Sequence, residues 1–172
     1  MSTGSHDQPE ITQLGRSDWA RYKAIRLDSL ADSGQWFASA GLDTEVARPD
    51  SYWQRILVTT DRFSVNVRGH DIAMMGTTNP HEGFDCDKWL IGFWISPEYR
   101  GRGIFRQMID FLDKWSVDRG YLRHGLGAWS DNQVAINAYT AVGFQPDGEP
   151  RPSTSVPGKF YLPMYKQLTI SE

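Results

Sequence analysis

The chain has 172 residues and a formal net charge of −3, long enough for one domain with a sizeable core and without an electrostatic reason to bind nucleic acid. Its single cysteine, Cys86, excludes an internal disulfide and a cysteine-built zinc site. No window reads as a transmembrane helix, and the polar start from Met1 to Gln8 lacks the basic and apolar parts of a signal peptide, so no membrane association and a cytoplasmic location are expected.

Residues 1–8 read as a flexible polar N-terminus and 9–172 as a single domain. Glu10-Ile11-Thr12-Gln13-Leu14 alternates and suits a short edge strand. Ser17-Asp18 offers an N-cap for a helix carrying Trp19, Tyr22, Ile25, Leu27 and Leu30 to about Asp32. A loop with Trp36 and Phe37 follows, then a second helix over Ser51 to Val58. These aromatics read either as the wall of a substrate lid or as anchors holding the helices to a sheet.

Arg62 to Val67 alternates clearly, Arg68-Gly69-His70 supplies a turn, and Asp71 to Met75 returns, which is a β-hairpin signal. The apolar run Leu90-Ile91-Gly92-Phe93-Trp94-Ile95 predicts a strand that Pro97 closes. Arg100-Gly101-Arg102-Gly103 then turns into a helix whose apolar face is Ile104, Met108, Phe111, Leu112 and Trp115, with Arg106, Asp110, Asp113 and Lys114 outward and Gly120 as its stop. The first turn of such a helix exposes unpaired N–H groups and the positive end of its dipole, a natural phosphate site. The same tetrapeptide also reads as a surface turn with solvated arginines. It is neither a P-loop, lacking Gly-Lys-Ser/Thr, nor a dinucleotide fingerprint.

Tyr121 to Trp129 reads as a further strand, parallel to the one before the helix, with a ligand expected at the carboxyl ends of the pair. Ser130 to Phe144 is a capped helix with Gly143 as its stop, residues 145–159 form a loop rich in proline, glycine and serine, and Lys159 to Leu168 reads as a final strand. That strand and the sheet edges offer a route to a homodimer.

Two motifs now agree. Ile95-Ser96-Pro97-Glu98-Tyr99-Arg100-Gly101-Arg102-Gly103-Ile104, followed by Asn132, Ala135-Ile136, Tyr139 and Gly143-Phe144, resembles the GNAT superfamily of acetyl-CoA-dependent N-acetyltransferases over nearly the whole element order. The resemblance implies an α/β (α+β) fold with a mixed central sheet of about six to seven strands flanked by about four helices. It implies acetyl-CoA as co-substrate, with its pyrophosphate on Arg100, Gly101, Arg102, Gly103, Ile104 and Phe105, and its pantetheine arm beside the backbone of Trp94 and Ile95, where the strand splays from its neighbour. Asn132 would bond the cofactor arm, or cap its helix, or both.

The resemblance also assigns Tyr139 as the general acid that protonates the departing thiolate; the alternative is a packed tyrosine. An alkylammonium acceptor, of pKa near ~10, needs a base. Asp87, or Glu82 through water, is the candidate, against a solvated acidic loop. One residue departs from the family pattern: Phe105 stands where glycine or alanine is usual, and is expected to pack with Met108, Ile109 and Leu112.

The expected reaction is direct acetyl transfer to a primary amine in a ternary complex, no cysteine lying in either motif. Trp36 and Phe37 are the expected substrate-binding residues. The acidic loops suit a small cationic amine; a protein amino terminus or lysine is the other acceptor class. A non-catalytic module that binds coenzyme A or a partner is the alternative from a different class.

Overall fold

The computed structural model describes residues 8–38 and 40–169. Of the flexible terminus expected over residues 1–8, all but Gln8 lies outside the described residues.

Strand β1 (Glu10–Leu14) leads through a short 3-10 turn into helix α1 (Trp19–Ser33). The turn is fastened by the Asp18 carboxylate, which accepts from the Gly15 N–H at 2.8 Å rather than capping α1. Helices α2 (Leu42–Val46) and α3 (Asp50–Thr59) follow, then the hairpin β2 (Asp61–Val67) and β3 (His70–Thr78). Strand β4 (Lys88–Ile95), helix α4 (Ile104–Val117), strand β5 (Arg123–Trp129) and helix α5 (Gln133–Ala141) form the centre. Two-residue strands β6 (Gln145–Pro146) and β7 (Arg151–Pro152) precede β8 (Phe160–Gln167). The five helices and eight strands among the described residues slightly exceed the count expected from sequence; α2, β6 and β7 are too short to carry a periodic pattern.

The sheet runs β1-β2-β3-β4-β5-β8-β6, with β7 also on β8. All pairings are antiparallel except β4 with β5, which pairs at Lys88↔His124 and Trp89↔Gly125, with the Asp87 N–H donating to Arg123 O at 2.9 Å just before them. Beyond Trp89 the two strands part. The final strand is no free edge, because β6 and β7 each cover a stretch of its outer side.

Alternation puts Phe63, Val65 and Met75 on the face covered by α4, where Ile104, Met108, Ile109, Leu112 and Trp115 come inward at helical spacing. Met74 faces the other way, with Tyr22 and Ile25 of α1 and Trp53 and Leu57 of α3. In β4 the alternation breaks: Leu90 packs with the α4 core and Trp94 with the α1–α3 core, although four residues separate them. A bulge causes this. Between Gly76↔Ile91 and Met74↔Trp94, β4 uses one residue more than β3, and Gly92 there has φ +67°.

Under α4 lies a polar cluster. His124, fully buried, shares a 2.7 Å hydrogen bond between Nε2 and Ser116 Oγ, with Nδ1 3.4 Å from Asp113. Lys166 pairs with the same carboxylate. Asp113, read from the sequence as outward, is therefore turned against β5 and β8. Burial acts to raise its pKa, but the bonds from His124 and Lys166 outweigh that and hold it below the ordinary value.

Candidate active site

The parting of β4 and β5 leaves a gap that opens into two cavities. One, of about 490 Å³, runs along the turn before α4 and the start of α5, lined by Trp94, Ile95, Arg100, Gly101, Gly103, Ile104, Phe105 and Asn132. The other, of about 530 Å³, lies beneath α1 and α3, and its wall includes Tyr22, Arg26, Glu45, Tyr52, Arg62, His81 and Tyr161. Both volumes suit small-molecule sites. Trp36, Phe37, Phe93, Gly127, Trp129 and Tyr139 border both, so they mark the junction.

The first cavity is built for an anion at one end. Gly101 and Gly103 have φ +71° and +79°, with open space where a Cβ would stand, so glycine is demanded by conformation and not by crowding. The earliest backbone bond of α4 is Gln107 N–H to Gly103 O at 3.2 Å. The N–H groups of Ile104, Phe105 and Arg106 consequently have no acceptor among the described residues, and no side chain caps the helix. The arginines nearby are not all aimed there. Arg100 donates from Nε to Ile95 O at 2.9 Å and pairs with Asp32, which also accepts from Trp94 Nε1 at 2.9 Å. Arg102, outside the cavity lining, lies over the Tyr99 ring at 5.3 Å, and Arg106 donates to Ala141 O at 3.2 Å.

Asn132 caps α5, its Oδ1 accepting from the Ala135 N–H at 3.1 Å, and it lines the same cavity. Phe105 is half-buried and sits against Phe93 and Tyr139, with ring centroids 5.9 and 5.6 Å away. It packs against the core cluster that holds Met108, Ile109 and Leu112, buttresses the tyrosine, and lines the cavity.

Tyr139 is held by Phe93, Phe105 and Phe144. Its hydroxyl has no hydrogen-bond partner among the described residues, and burial pushes its pKa up to about 12. The phenol thus keeps its proton at working pH and points no bond elsewhere. The loop carrying Trp36 and Phe37 is tied down across the gap: Trp129 Nε1 donates to Trp36 O at 2.9 Å, and Lys159 Nζ donates to Gln35 O at 3.1 Å while covering the rings of Trp36 and Trp129.

Asp87 is not brought to this junction. Its carboxylate accepts from the backbone N–H groups of Leu122 at 2.7 Å and Arg123 at 3.0 Å, fastening the entry to β5, and it lines neither cavity. Glu82 lines neither as well, and Asp85 lies 3.7 Å from Arg123. The carboxylate and imidazole that do border the second cavity are Glu45 and His81. Cys86 borders neither cavity; burial first, and Asp87 next, push its thiol up to about 11. The His124–Ser116–Asp113 cluster is likewise sealed away from both.

Sequence reasoning missed Arg62. It stands opposite Gly76 in the β2–β3 ladder, and its side chain crosses β3 to end at the β4 bulge. A Cβ at Gly76 would lie 2.7 Å from its Cδ, and one at Gly92 would lie 2.9 Å from its Nη1. Gly92, inside the predicted strand Leu90 to Ile95, was the available signal; Gly76 fell just past the predicted end of its strand at Met75.

This geometry agrees with the relatives of the chain. Residues 28–144 match the model of the acetyltransferase (GNAT) family, and the chain belongs to that family. An uncharacterized N-acetyltransferase of Bacillus subtilis (strain 168), YobR, is 28% identical over 78 residues, 45% of this chain and 30% of that protein. Among solved structures, a GNAT-family acetyltransferase from Streptococcus pneumoniae superposes with a TM-score of 0.76 at 16% identity, over 94% of this chain and all of that one. The spermidine N-acetyltransferase of Vibrio cholerae, solved with CoA and spermine, superposes with a TM-score of 0.69 at 17% identity, over 93% and 95% of the two chains. At such identities these structures attest to the shared fold. No helix among the described residues is long and apolar enough to cross a membrane.

Proposed function

We propose that this protein transfers the acetyl group of acetyl-CoA to a primary amine by direct attack in a ternary complex. The observation that carries the reading is the meeting of two cavities at Tyr139 and Phe93 in the gap between β4 and β5. A thioester entering from one cavity and an amine entering from the other would converge there.

The chain's own groups fit the carrier. The free N–H groups at the start of α4 suit a diphosphate, the two left-handed glycines let backbone approach it, and Asn132 borders the arm's path. The β5-facing side of β4 beyond Trp89, which has no strand partner there, suits the amides of the arm. In the transfer the amine nitrogen bonds to the thioester carbonyl carbon, the C–S bond breaks, and the sulfur takes the electron pair. Tyr139 then serves as the acid, its hydroxyl donating to the developing thiolate. Because its pKa stands at about 12, above the ordinary thiol value near ~8.5, most of its contribution is the hydrogen bond made as the C–S bond opens.

The acceptor must shed a proton. Glu45 and His81 are the side chains bordering its cavity that are suited to receive one, directly or through water. The covalent alternative gains no support, since the one cysteine borders neither cavity. Release of free thiol from acetyl-CoA with a panel of primary amines tests the proposal. Amine-dependent release is expected; binding of acetyl-CoA with no release from any amine would leave a carrier-binding module instead.

A further inference from the structure

The acceptor cavity is lined by two guanidiniums, those of Arg26 and Arg62, and by one carboxylate, that of Glu45, which is buried beside Tyr52. Arg62 is the informative one. Its Nε donates to Thr60 Oγ1 at 2.9 Å and its guanidinium lies 5.5 Å from the Tyr22 ring centroid. Among the described residues it has no ion-pair partner, and its terminal nitrogens donate to no protein group.

The side chain crosses β3 and reaches the bulge past two glycines: a Cβ at Gly76 would meet both Arg62 Cδ and the Asp61 carbonyl oxygen at 2.7 Å, and one at Gly92, whose φ is +67°, would meet Arg62 Nη1 at 2.9 Å. An arginine so accommodated, half-buried and without an acidic partner, is suited to an anion brought by the ligand. Arg26, stacked on Phe37 at 4.3 Å, lines the same cavity. The carboxylates that suggested a small cationic acceptor are mostly elsewhere: Asp32 is taken by Arg100, and Asp43, Asp85 and Asp87 border neither cavity.

Resting on the proposed acetyl transfer, we infer that the acceptor is an amine bearing a carboxylate, an α-amino acid with an apolar or aromatic side chain, and that Arg62 is the residue that grips the carboxylate. Position sets the spacing. The Arg62 tip lies at Gly92, and the next residue along β4, Phe93, borders the junction, so amine and carboxylate must be separated by very little chain. Trp53, Phe84, Trp89 and Tyr161 leave an aromatic wall for the side chain. The same guanidinium disfavours an ammonium beside it, which lowers the acceptor's pKa and assists its deprotonation.

Matched pairs of acceptors decide the matter: L-phenylalanine against phenethylamine, L-tryptophan against tryptamine, and L-methionine against 3-(methylthio)propylamine, each with saturating acetyl-CoA and a free-thiol readout. At least one amino acid should exceed its decarboxylated partner in kcat/KM by about 20-fold, the scale of a charge-assisted bidentate contact. Arg62→Gln should bring that ratio near unity, chiefly by raising KM for the amino acid, and Arg62→Lys should restore part of it. A thermal shift with acetyl-CoA verifies that each variant is folded. Preference for the decarboxylated amine, an unchanged ratio in Arg62→Gln, or no release from any of the three amino acids by protein that binds acetyl-CoA would overturn the inference. Failure of the wild-type protein to bind acetyl-CoA would instead defeat the acetyl-transfer reading beneath it.

Discussion

Tyr139 is the residue on which the proposed chemistry turns. Three phenyl rings fix it, burial keeps its proton on, and nothing in the described protein competes for its hydroxyl. Tyr139→Phe should lower thiol release by about 100-fold or more, with the Kd of acetyl-CoA within about twofold of wild type by calorimetry. Unchanged turnover would remove the tyrosine from the mechanism. Asp32 supports a second prediction. Bonds from Ser33 and Trp94, then Arg100, draw its pKa down from 3.8 to about 2. A depressed carboxylate contributes stability that is present above its unfolded pKa and vanishes as pH falls through the folded value. Asp32→Asn should therefore melt a few degrees, roughly 1–3 °C, below wild type at pH 7, the gap closing toward pH 2; the magnitude is small because the group is partly exposed. Of the residues lining the cavities, Tyr139, Asn132 and the glycines of the turn were legible in the sequence because each sits in a local motif, and Trp36 and Phe37 because they are adjacent aromatics in a predicted loop. Arg62 was not. Its meaning depends on two glycines in other strands, a relation that exists only once the sheet is assembled.

At the scale of elements, β4 and α4 decide the geometry. Their existence was plain from the apolar run and the helical spacing, but the bulge was not, since an apolar run of six hides which residues change face. Nor was the inward turn of Asp113, which needs His124 and Lys166 from β5 and β8 to make a charged residue tolerable there. Glycine plays different parts in the two elements, and a pair of substitutions separates them. Gly92→Ala and Gly101→Ala both place a side chain at positive φ, costing about 1–2 kcal/mol in denaturant titrations. Gly101→Ala should weaken acetyl-CoA binding, because the backbone of the turn relaxes away from the diphosphate. Gly92→Ala should cost more stability, because its Cβ must also displace the tip of Arg62 2.9 Å away, and should leave acetyl-CoA affinity close to wild type. Equal effects of the two on binding would mean that the bulge and the turn are not separate devices.

For the whole molecule, the order of elements and the position of the crossover helix followed from the sequence, while the closing region from Gln145 to Gln167 read only as loop and strand. Its two-residue pairings have no pattern of their own and exist because β8 presents an edge to them. A native-state ligand stabilises the fold by mass action. Acetyl-CoA at 100 times its Kd should therefore add about 2.7 kcal/mol, raising Tm by roughly 5–10 °C in a domain of this length. No shift at millimolar acetyl-CoA would contradict the assignment of the first cavity.

The two residue pairs that join β4 to β5 carry a further consequence. With the Asp87 N–H bond to Arg123 O just before them, they are the rungs found among the described residues between the front of the sheet, β1 to β4, and its rear, and α4 is the girder that packs against both. A carrier lodged in the split would supply rungs the polypeptide omits. Loading such an enzyme and knitting its halves together would then be one event, and letting the spent carrier go would require those same stitches to be undone.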